Sequence, residues 1–76
     1  MVLDLIVTKT DDGFTAEIPS LKGCESWAHI EEEAINKTIE LFKFYIQAES
    51  NLKLKIDKAR KEGNKIVYKI IFDKNQ

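Results

Sequence analysis

Cys24, Ser26 and His29 stand close together and are the grouping in this chain that comes nearest to a nucleophile with a base. His29 is the single histidine, so any Ser-His or Cys-His arrangement has to use it. No nucleophile elbow and no oxyanion-hole motif accompanies the three. Cys24 reads as a small hydrophobe within a strand, and His29 as a surface or capping residue. Two-metal hydrolysis needs carboxylates converging from several elements. Asp4 is the only aspartate expected inside a strand, whereas Asp11 and Asp12 belong to a turn. Glu31, Glu32 and Glu33 are consecutive, which suits the positive end of a helix better than a cation cage. Lys53, Lys55, Lys58, Arg60, Lys61 and Lys65 could touch phosphates, but Leu52, Leu54 and Ile56 interleave them where stacking aromatics would be needed. We therefore expect no catalytic, metal or cofactor site and no enzyme. Trp27 is the candidate anchor for a protein partner, or else the cover of a core edge.

The elements that must hold these residues fit one small domain. Seventy-six residues lie near the lower limit for a self-sufficient core, which favours a partner or an oligomer. The net charge of −1 conceals an asymmetry. Residues 1–50 carry four Lys against ten Asp/Glu, and residues 51–76 carry eight Lys/Arg against three Asp/Glu. The balances are −6 and +5, enough to steer a partner or to align copies head to tail. There is no apolar run of ~18 residues and no basic leader before an apolar stretch, so a cytoplasmic protein is expected. One cysteine excludes an intrachain disulfide.

Leu3, Leu5 and Val7 alternate with Val2, Asp4, Ile6 and Thr8, the period of a strand over 2–9. Asp12-Gly13 marks a hairpin turn to a second strand over 13–18. Pro19 cannot donate to a ladder, so that strand stops there, and a third is expected over 24–28. A helix should begin near Glu31 without a good cap, since Ile30 precedes it. Its apolar residues fill an arc of roughly 220°, wider than one small sheet can cover. The excess, assigned to Ile35, Ile39, Phe42 and Ile46, is expected to be an oligomer interface, unless residues 50–64 fold over it. Ser50-Asn51 is the expected helix stop. Residues 52–56 then read as a short extended piece, 57–62 as a helical turn and Gly63-Asn64 as a break. Ile66, Tyr68, Ile70 and Phe72 alternate with Val67, Lys69 and Ile71 in a strand apolar on both faces, hence interior, and parallel to one neighbour after a helical crossover.

The pattern Gly13-Phe14, Ala16, Ile18-Pro19, Leu21, Gly23-Cys24 and Ser26, followed by Glu33-Ala34 and an apolar helix, resembles the HicB-like antitoxin family. The likeness spans residues 2–49, with looser agreement over 65–73. It implies a partial RNase H-like fold: an α+β domain in the order β-β-β-α-β, one long helix on one face of the sheet, and residues 50–64 as a connecting segment. It also implies a role, which is to bind a HicA-type toxin, a small RNA-cleaving protein, and silence it by occlusion. Members usually have Gly and Thr or Ser shortly before the helix, where this chain has Ala28 and Ile30. Many carry a C-terminal DNA-binding domain, for which a chain ending at Gln76 leaves no room, so operator binding is not expected.

The expectation is thus a single non-enzymatic domain over 1–76 that forms a homodimer. Its acidic patch, Glu17, Glu25, Glu31 and Glu32 with Trp27, would meet the basic toxin. The alternative is a stand-alone homo-oligomeric binding module.

Overall fold

A computed structural model describes residues 2–46 and 53–72 of the chain. Six elements follow one another: β1 (Val2–Lys9), β2 (Phe14–Glu17), β3 (Glu25–Ala28), α1 (Glu31–Tyr45), β4 (Leu54–Glu62) and β5 (Lys65–Phe72). The strands form one sheet in the order β3-β2-β1-β5-β4, with every neighbouring pair antiparallel. This is an α+β fold with one helix, as the sequence leads one to expect, but with five strands instead of four. Residues 57–62 are not a helical turn; they continue β4 to the edge of the sheet. That added strand reverses the chain once more, so β5 meets β1 antiparallel and the expected parallel pairing does not form. The helix stop expected at Ser50-Asn51 lies outside the described residues.

Local chemistry explains the connections. Gly13 closes the β1–β2 turn, where Thr10 N–H donates to its carbonyl at 2.8 Å. A Cβ at Gly13 would stand 2.5 Å from both the Ala28 carbonyl and the Trp27 ring, so only glycine lets this turn slide beneath Trp27. Gly63 supplies the positive φ, +60°, of the two-residue β4–β5 turn. Helix α1 starts on Ile30 with no side-chain cap, and its three leading glutamates lie against the positive end of the helix dipole.

The helix backbone crosses β3, β2 and the adjoining part of β1, and none of it approaches β4 or β5. It buries Ala34, Thr38, Ile39 and Phe42 against Leu5, Val7, Ala16, Ile18, Cys24, Ala28 and Ile70. Phe42 reaches on to β5, meeting the Phe72 ring edge-on at 5.0 Å. Ile39 and Phe42, at 8% and 0% exposure, belong to this core and cannot form the outward oligomer face expected of them; Ile35 and Ile46 pack against the same cluster, partly buried. A wheel gives the width of an apolar arc but not the direction of the sheet, and it is the opposite flank that stays exposed. There Leu41, Phe44 and Tyr45 face outward, Phe44 at 85%. Nor do residues 54–62 fold over the helix, because β4 lies at the far edge of the sheet.

Candidate functional site

The nucleophile and base candidates point to opposite sides of the sheet. Ser26 faces the helix, 2.7 Å from the Thr38 hydroxyl and 3.0 Å from the Ala34 carbonyl, while Thr38 donates to the Ala16 carbonyl at 3.0 Å. Two hydroxyl protons serve three contacts, a tight arrangement that ties α1 to β2 and β3 and leaves no free nucleophile. Cys24 is buried beside it, with its thiol 3.7 Å from the Thr38 carbonyl; burial pushes its pKa up and so away from thiolate chemistry. His29 lies outside this network. Its Nδ1 is 3.1 Å from the Asp12 carbonyl, and its ring meets Trp27 edge-on at 4.6 Å. The three never form a triad. Among the described residues no cluster of three His, Cys, Asp or Glu is placed to hold a metal ion.

The acidic candidates separate as well. Glu31 is held within the fold, where its carboxylate accepts a 2.5 Å hydrogen bond from the Tyr68 hydroxyl. Burial first, then this bond and the charge of Glu31, push the Tyr68 pKa up to about 12. Glu32 is exposed at the start of the helix. Glu17 and Glu25 stand directly opposite each other on β2 and β3, on the face that no helix covers. Among the described residues neither has an ion-pair partner. Trp27, one step along β3 on that face, is 40% exposed, and its Nε1–H donates to the Thr10 hydroxyl at 3.3 Å.

The strand registers assign the rest of this uncovered face. Across β1 and β5 it carries Val2 beside Ile71, Asp4 beside Lys69, Ile6 beside Val67 and Thr8 beside Lys65. Farther out, Glu17 of β2 is level with Ile6, and Arg60 of β4 is level with Val67. Asp4 and Lys69 form an ion pair, Arg60 and Glu62 another at 2.5 Å, and Lys55 and Asp57 a looser one at 3.9 Å. Lys58 and Lys61 lie on the opposite, helix-bearing side, where Lys58 Nζ is 6.0 Å from the centre of the Tyr68 ring. The basic residues of β4 thus divide between two faces, and half of them already meet carboxylates. They do not line up as a track for a nucleic-acid backbone.

Both sheet edges are guarded. Lys37 donates to the outward carbonyl of Trp27 at 3.4 Å, and Glu25 N–H is satisfied by Gly23 at 3.1 Å. At the other edge β4 is rich in charge and carries an irregularity between Lys58 and Arg60, two devices that discourage strand addition. A groove of about 210 Å³ runs between the start of α1 and the β4–β5 turn, lined in part by Lys9, Phe14, Glu31, Lys61 and Ile66. Small-molecule pockets are usually larger, ~300–1,000 Å³. The described surface best suited to recognition is therefore the uncovered sheet face with its β3 rim. No helix is long and apolar enough to cross a membrane among the described residues. No protein-family model matches this chain, and neither a curated protein nor a solved structure matches it.

Proposed function

We propose that the chain is a non-enzymatic, HicB-like antitoxin-type domain, with a partial RNase H-like fold, that acts in the cytoplasm by docking on a basic, HicA-type RNA-cleaving toxin and covering its active surface. The observation that supports it is the unneutralised pair Glu17 and Glu25 beside the exposed Trp27. Like charges directly opposite in a sheet cost stability, and a cationic partner removes that cost. Trp27 supplies the apolar anchor next to the charge, the usual composition of an interface hot spot. Glu32 extends the acidic surface onto the helix start, whereas Glu31 is occupied by Tyr68 and contributes through the field alone.

Co-expression with the product of the neighbouring gene tests the proposal, which requires that product to be small and basic. A complex should form at low salt and weaken as salt rises. Glu25→Lys should weaken it at least tenfold, about 1.4 kcal/mol. No complex at low salt would end this reading. The second reading, a free-standing self-associating module, is favoured by the separation of charge between the two halves of the chain. It cannot use Ile39 and Phe42, which are buried, and needs another surface.

A further inference from the structure

The uncovered sheet face is complementary to itself, and we propose that it is the contact by which two copies of this chain form a twofold dimer, sheet against sheet. The argument holds for either reading of function. Consider a twofold axis parallel to the strands, between β1 and β5. It lays β1 of one copy over β5 of the second, and β2 over β4. Each row of residues keeps its height along the strands. Asp4 then faces Lys69 of the second copy, and Lys69 faces its Asp4, so two intrachain ion pairs become a square of alternating charge. Above and below that square, Val2 faces Ile71 of the second copy, and Ile6 faces its Val67, which is already covered to 6% exposure within its own chain. Glu17, without an ion-pair partner among the described residues, comes to face Arg60, which already holds Glu62 of its own chain. Aligned sheets pack with strands roughly 30° apart, so the rows nearest the axis keep these pairings best.

Two further observations favour a second copy on this face. Val2 and Ile71, 57% and 38% exposed, are large apolar side chains on a face that alternates with a closed core. The guarded edges disfavour growth by strand pairing, so self-association has to use a face of the molecule and not an edge. Four overlapping strands span ~19 Å, so the contact buries roughly 1,000 Å² in total, a small interface that suits a reversible dimer. β3 extends past the overlap, so Glu25 and Trp27 stay free for another protein, whereas Glu17 lies within the dimer contact.

Sedimentation equilibrium up to about 1 mM chain tests this. The expected mass is twice 8.8 kDa. Asp4→Lys makes the central charges all positive and should raise the dimer Kd at least tenfold, and adding Lys69→Asp restores the alternation and the dimer. Val2→Asp, at a position the core does not use, should weaken the dimer in the same direction and keeps the test open if Asp4→Lys unfolds. Phe44→Glu on the exposed helix flank should leave the dimer intact. A monomer at all concentrations overturns the proposal, as does a dimer indifferent to both Asp4→Lys and Val2→Asp, or one dissolved by Phe44→Glu with its circular dichroism unchanged. Toxin binding is read separately through Glu25→Lys, so either conclusion can fail without the other.

Discussion

The two faces of this sheet are made by alternate residues of the same strands, yet they live in different physics. On the roofed face Leu5, Val7 and Ile70 are sealed under α1 and around Phe42. On the bare face their neighbours Asp4, Ile6 and Lys69 remain partly open to solvent, with Asp4 and Lys69 paired in place of a helix above them. Stability is therefore concentrated on one side and recognition can be assigned to the other. A one-residue slip in register would exchange the two, which is why the turns at Gly13 and Gly63 matter as much as the apolar content.

Phe42→Ala should break the roofed side most. Removing a fully buried ring that bridges α1 to Phe72 should cost about 3–5 kcal/mol in urea denaturation, enough to leave much of so small a domain unfolded. A loss under 1 kcal/mol would mean that the helix is not seated as described. Tyr68→Phe probes the border of the roof and should cost about 1–2 kcal/mol by deleting the bond to Glu31. Its pH signature has a definite sign. The folded pKa, about 12, lies above the ordinary 10.0, so the stabilisation is complete below pH 10 and falls away as pH rises towards 12. The phenylalanine variant should lose that part of the alkaline slope, and an identical slope in both proteins would contradict the hydrogen bond. The smallest effect belongs to the bare side. Val2→Thr, on an edge of that face, should change monomer stability by less than about 0.5 kcal/mol. If it cost as much as Phe42→Ala, the contrast between the faces would not hold.

Much of the roofed half was legible beforehand. Alternation identified β1, β2 and β5, the restart after Pro19 and Gly23 pointed to β3, Asp12-Gly13 and Gly63-Asn64 placed the turns, and Glu31 marked the start of the helix. β4 was not legible. An edge strand exposed on both sides needs no period-2 apolar pattern, and the irregularity after Lys58 breaks the little that is there. Of the site, Glu17, Glu25 and Trp27 do share one side of the sheet, but Glu31 had a private partner in Tyr68, thirty-seven residues away, that no spacing could disclose.

Local sequence by itself determined where the chain extends, turns and coils outside residues 57–62, because strand alternation, glycine turns and the helix dipole act over a few residues. Only the tertiary structure decided which flank of α1 is buried, that every strand pair is antiparallel, and that an acid–base checkerboard is left bare on the outer face. Those outcomes depend on which distant segments meet, and the free energy of burial does not record its partner in the sequence that supplies it.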